Sequence, residues 1–177
     1  MVFTFSIRDF IFVDFEASSI DADSCSIEVG MAWIADDIVH SGSSLIRPQT
    51  SWNRSAWSAA SAQVHRITWS ELDTAPSSYG VAFKYRHRFL HSGYRAVSDA
   101  AEWDGAWAEK LLEAVDGHGH QFVDFDHLVR SACRGNVEAI NHTFAHLEAT
   151  PIPHRAEPDA ERPSTALLQG MKADDST

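Results

Sequence analysis

The sequence predicts an α/β protein built on a mixed sheet, an antiparallel meander of three strands followed by strands that alternate with helices, with helices flanking the sheet. Three observations predict it. Phe10–Ser18 is a hydrophobic stretch rich in β-formers, and Ile27–Ile34 and Ile38–Pro48 follow it with turn-forming residues between them. Beyond Ser55 helical spacing takes over, interrupted by short strand-like runs. The 177 residues suit one domain with a sizeable core, drawn over 1–169 and followed by a flexible polar tail at 170–177.

Taken in order, the first strand leads through the turn-like stretch Ser18–Ser26 into the second, and Asp36-Asp37 turns the chain into the third. Short helices are expected at Ser55–Gln63 and Trp69–Leu72, divided by Val64–Thr68, and another helix at Tyr79–Phe89. Tyr94–Ser98 reads as a fourth strand. After it Trp103, Trp107, Leu111 and Val115 recur every four residues, the stripe of an amphipathic helix opened by Asp104, and these tryptophans read as core. His120–Phe125 is expected as a fifth strand and Asn136–Ala149 as a helix. On that helix His142 and His146 lie one turn apart, but without the Glu of a zinc-protease motif they read as an exposed face. Pro158 suits the first position of a last helix.

Composition narrows the function. A net charge of −11 speaks against a protein that grips nucleic acid through a broad basic surface, because phosphate affinity normally comes from clustered Lys and Arg. The same charge suits an enzyme that meets phosphates through bound cations, or an acidic small-molecule enzyme. No stretch approaches the roughly 20 apolar residues of a membrane span, so no membrane partner and a cytoplasmic location are expected. Cys25 and Cys133 lack metal-type spacing and read as ordinary reduced residues. Strand edges, and Trp52 and Trp57 read as surface residues, leave a homodimer open.

The chemistry is concentrated in three segments. Asp14 and Glu16 lie one residue apart in the first strand, so their side chains leave on the same face and repel unless a positive charge sits between them. Divalent Mg²⁺ or Mn²⁺ suits that oxygen-only pair, and a polar strand end in solvent is the alternative. In Ser98-Asp99-Ala100-Ala101-Glu102-Trp103-Asp104 a strand ends where a helix begins, the edge at which α/β sheets place their sites. Asp104 there suits a helix-dipole residue as well as a ligand, and Asp99 competes for the role. Near the end, His154 precedes a helix that carries Asp159 in its first turn, so both can face one cleft.

This ordered set resembles the DEDD superfamily of 3′-to-5′ exonucleases, in the histidine-bearing DEDDh branch that includes the proofreading subunit of bacterial DNA polymerase, RNase T and oligoribonuclease. Asp14-x-Glu16, Asp104 at a helix start, and His154 with Asp159 five residues on carry the resemblance, together with Ile27–Gly30 and Val64–Thr68, from about Phe10 to Leu168. It implies an RNase-H-like fold and a single exonuclease domain over 1–169. It also implies two ions, Mg²⁺ or Mn²⁺, held by Asp14, Glu16, Asp104 and Asp159, with His154 as general base. The expected partner is the 3′ end of single-stranded DNA or RNA, contacted by Ala17, Ser18, His65 and Arg155, with Arg66 and Arg162 as further basic residues near the cleft. The chain departs from the family pattern at Ser98-Asp99, where a His-Asn pair is common, and the spacing to Asp104 is a residue longer. Asp99 is therefore either a supporting residue or a substitute ligand. A non-catalytic module or polymerase-associated subunit of the same fold, and a phosphoesterase acting on small esters, are the competing readings.

Overall fold

Alternation along the first strand decides how the molecule is layered. In β1 (Phe10–Ala17) the side chains of Ile11, Val13 and Phe15 enter one core, while Phe10 and Phe12 enter the other. Asp14 and Glu16 follow Phe12 on that second face. The computed structural model describes residues 6–21 and 23–174. Five strands form one sheet in the order β3-β2-β1-β4-β5. β2 (Ser26–Ala35) pairs antiparallel with β1 and with β3 (Ile38–Leu45), whereas β4 (Arg95–Ser98) and β5 (Phe122–Asp124) extend the sheet in parallel from the other side of β1. The meander and the mixed sheet are those the sequence predicts, and the arrangement is RNase-H-like.

Helices cover both faces. α1 (Ala59–His65), α2 (Trp69–Thr74), α3 (Ser78–Arg86) and α4 (Ala101–Leu112) lie in the first part of the chain, and α5 (Phe125–Ala132), α6 (Val137–Ala149) and α7 (Ala156–Asp174) in the last. Tyr85 of α3 and Leu111 and Leu112 of α4 pack on the Ile11–Phe15 face, whereas Phe125, Leu128, Ala160 and Leu167 from α5 and α7 pack on the Phe10–Phe12 face. Each large apolar side chain so buried is worth about 1.5–3 kcal/mol. Among the described residues no helix is long and apolar enough to cross a membrane.

Several elements differ from expectation. Val64 and His65 belong to α1, which Ser58 caps by accepting from Ser61 N at 3.2 Å, and the Thr68–Glu71 capping box starts α2. α4 begins at Ala101, so Asp104 lies within it rather than opening it, and Trp103 on its outer side is 52% exposed rather than core. Trp52 is buried and Trp57 packs on Trp69 at 4.7 Å, so neither is the surface residue expected. α5 is absent from the sequence expectation, because Phe125 reads as the end of β5 although Asp124 caps a helix there by accepting from His127 N. α7 starts before Pro158 and runs through Gly170 to Asp174, so the boundary expected at Gly170 falls inside a helix; residues 175–177 of the expected tail lie outside the described residues. Gly170 is buried against α6, where a Cβ would overlap Thr143 Oγ1.

Candidate active site

The site forms where β1, the β4–α4 turn and the start of α7 meet. Asp14 stands opposite Gly30 of β2, and Glu16 opposite Glu28. At Gly30 a Cβ would overlap the Ala156 carbonyl, so the missing side chain lets the first turn of α7 rest directly on β2. Glu28, 2% exposed, accepts from Arg155 Nε at 2.9 Å and Nη2 at 2.7 Å, and from Ala156 N at 3.1 Å. The bidentate guanidinium and the helix N-terminus together neutralise this buried carboxylate and fix α7 to the sheet. His154 turns the chain into α7 with a left-handed φ of 56°.

That docking brings three of the sequence-predicted carboxylates together. Asp14, Glu16 and Asp159 offer ligand oxygens that all lie within 4.8 Å of one another. Asp159 accepts from Arg155 N through Oδ2 at 3.0 Å, which leaves its Oδ1 buried with no hydrogen-bond partner. An orphaned carboxylate oxygen beside two further carboxylates, in an oxygen-only donor set, fits a hard divalent cation. Burial raises Asp14 well above the usual carboxylate range, with the charges of Asp104, Glu16, Asp159 and Asp99 adding to it. Burial likewise pushes Glu16 to about 8, against the lowering influence of Arg155, and raises Asp159. Crowding of this kind is stored repulsion that a bound cation relieves. A cleft of about 240 Å³ opens over the group, lined by Asp14, Glu16, Asp99, His154, Asp159 and Arg162 among others.

Asp104, expected among the ligands, does not line that cleft. It is 1% exposed, with Oδ1 accepting from Phe15 N at 3.1 Å and Oδ2 from the Ser98 hydroxyl. Burial pushes it to about 7, against the lowering effect of the Ser98 and Phe15 hydrogen bonds. Its rival Asp99 is exposed and borders the cleft.

The expected substrate contacts divide. Ala17 and His65 line a second pocket of about 200 Å³ with Phe15, Glu16, Ser19 and Trp107, so it shares Phe15 and Glu16 with the carboxylate cleft. His65 is buried with its Nδ1 accepting from Ile67 N at 3.0 Å and its Nε2 without a partner, and burial lowers its pKa. It therefore presents a neutral ring with an unpaired Nε2–H. Ser18 instead accepts from Cys25 N at 2.9 Å inside the protein, and its neighbour Ser19 reaches the pocket. Arg155 is committed to Glu28. Glu28 and Ser98 are the functional residues that sequence reasoning left without a role; the signal for Glu28 was its place in the second strand opposite Glu16, which needs the strand register to be seen.

No protein-family model matches the chain, and no curated protein matches it in sequence. Solved structures do match. A full-length 3′-exonuclease aligns with a TM-score of 0.68 at 13% identity, over 98% of this chain and 64% of that one. The zinc-bound form of the E. coli ExoI–ssDNA complex aligns at 0.66 and 12% identity, over 93% of this chain and 40% of that one. The nuclease domain of 3′hExo, a DEDDh family member bound to rAMP, aligns at 0.63 and 12% identity, over 93% of this chain and 92% of that one. This chain thus spans less than two thirds of the first two and nearly all of the third, and at such identities the likeness speaks for the fold. The architecture of this chain is the fold of the DEDDh 3′-exonucleases.

Proposed function

We propose that the protein is a divalent-metal-dependent 3′-to-5′ exonuclease that hydrolyses the terminal phosphodiester of single-stranded DNA or RNA. The observation that carries the reading is the joining of the two pockets at Phe15 and Glu16, a carboxylate cleft fitted to cations directly beside a partly apolar pocket. Solved neighbours of the same fold hold ssDNA or rAMP, which is the chemistry such a pair of pockets suits.

When bound, two ions such as Mg²⁺ or Mn²⁺ supply Lewis-acid activation of water and charge for the leaving 3′ oxygen. Asp14, Glu16 and Asp159 would hold them. His154, exposed at the cleft beside Asp159, takes the proton of the attacking water on an imidazole nitrogen. The terminal nucleoside enters the second pocket, where Ala17 and Trp107 give apolar walls and His65 stands alongside. Arg162 lines the cleft, donates from Nη2 to the Leu147 carbonyl at 3.2 Å, and adds positive charge beside Asp159.

A time course on 5′-labelled DNA and RNA oligonucleotides of one sequence, with Mg²⁺, Mn²⁺ or EDTA, tests this. The expected result is a metal-dependent ladder shortening from the 3′ end and absent in a folded Asp14→Ala variant. Intact substrate in every lane, or equal shortening by Asp14→Ala, overturns it.

A further inference from the structure

We propose that Asp99, and not Asp104, is the fourth cation-facing carboxylate of the cleft, and that Asp104 is a positioning residue. This rests on the reading of the cleft as a divalent-cation site.

Asp104 has no free path to an ion. Its two carboxylate oxygens are each engaged, one by the Phe15 amide of β1 and the other by the Ser98 hydroxyl at the end of β4, and the side chain is almost wholly buried. What these bonds do is structural. Phe15 lies between Asp14 and Glu16, so the bond to its N–H fixes the backbone from which both ligands project. The bond to Ser98 ties the same carboxylate to the parallel neighbour strand. Asp104 is therefore a clamp across β1 and β4 immediately behind Asp14 and Glu16.

The same clamp directs Asp99 outward. Ser98 Oγ donates to Asp104 and accepts from Ala100 N at 2.8 Å, so a single hydroxyl closes the turn that leaves β4. Asp99 stands at the apex of that turn, exposed, with its side chain on the wall of the cleft shared with Asp14, Glu16, His154 and Asp159. Two divalent ions carry four positive charges, and Asp14, Glu16, Asp159 and Asp99 match them with four negative ones on one solvent-reachable surface. Replacing Asp99 by Asp104 in that set would require breaking two buried hydrogen bonds to turn a carboxylate through the protein interior.

Mn²⁺ titration of the purified protein tests the assignment, with bound ions counted by calorimetry and by loss of the free-ion EPR signal. Asp99→Asn is expected to lose one ion, or to bind it at least about tenfold more weakly, with an unchanged circular dichroism spectrum. Asp104→Asn is expected to keep the wild-type ion count and affinity while melting at a lower temperature. Wild-type binding by Asp99→Asn overturns the proposal, as does loss of an ion in an Asp104→Asn protein that remains folded. Asp99 is exposed, so Asp99→Asn decides the question whatever Asp104→Asn does to folding. Asp14→Asn separates the two levels: binding lost there but kept in Asp99→Asn sinks only the assignment, whereas a wild-type protein that binds no Mn²⁺ sinks the cation-site reading and the assignment together.

Discussion

Glu16 and Glu28 stand opposite each other across the β1–β2 ladder, and a guanidinium neutralises only Glu28. Like charges in that position repel. The sheet resolves the conflict by function: Glu28 is sealed under Arg155 and the start of α7, and Glu16 is left facing the cleft with its pKa pushed to about 8. One glutamate builds the site and the other waits for a cation.

Removing the guanidinium therefore costs stability before it costs chemistry. Arg155→Met is expected to destabilise the fold by roughly 2–3 kcal/mol, below the usual cost of breaking a buried pair because part of the Arg side chain is in solvent. Glu28→Gln in the same background restores much of that loss, since no buried charge is then left unpaired. Urea unfolding of the single and double variants measures both; equal loss in the two would mean that charge burial is not the cause.

Acidity of the carboxylate group sets a pH dependence opposite to that of an ordinary salt-bridged acid. Glu16 is raised from 4.5 to about 8, and Asp14 and Asp159 are raised as well, so the folded state holds protons that the unfolded chain releases. Their stabilisation is complete below the ordinary carboxylate pKa and is lost as pH rises through the folded values. In EDTA the melting temperature is expected to fall between about pH 5 and about pH 8.5, less so in Glu16→Gln, and millimolar Mn²⁺ is expected to reverse the fall. A melting temperature indifferent to pH and to Mn²⁺ over that range contradicts the stored repulsion.

Gly30 offers a purely steric test. Gly30→Ala places a methyl against the Ala156 carbonyl, and the backbone there has no rotamer with which to yield. The expected cost is about 1–3 kcal/mol together with weaker Mn²⁺ binding, because α7 and Asp159 must move away from Asp14. Wild-type affinity and stability in this variant would show that α7 does not set the spacing of the carboxylates.

Proton transfer and cation binding separate at His154. His154→Ala is expected to slow hydrolysis by about 10²–10⁴-fold while leaving Mn²⁺ affinity near that of the wild type. The comparison needs only single-turnover assays and a titration, and a loss of Mn²⁺ binding would recast His154 as a ligand.

The parts of this architecture legible in the sequence are those that depend on neighbours in the chain. Asp14 and Glu16 share a face because they are two residues apart in a strand, and that relation holds wherever the strand goes. The meander was visible for the same reason. The surroundings of Asp104 were not legible because its partners Ser98 and Phe15 lie on two other strands, and nothing local marks a helical Asp as buried between them. Arg155 looked available for phosphate because its partner Glu28 lies far back in the sequence and meets it only after α7 docks. α5 escaped notice because Asp124 serves as both strand end and helix cap, although Phe125, Leu128, Val129 and Ala132 recur at helical spacing. Gly170 was read as the start of a loose tail, yet it is a contact point, chosen for the absence of a side chain against Thr143.

The seating of α7 on Gly30 also governs when the carboxylate group is assembled. Asp14 and Glu16 are made early by the ribosome, and His154 and Asp159 near the end of the described chain. Until α7 has settled on the sheet, a growing chain has Asp14, Glu16 and Asp99 but neither Asp159 nor His154 beside them. Limited proteolysis that clips the loop before α7 would likewise part Asp159 from Asp14 and Glu16 without touching the sheet.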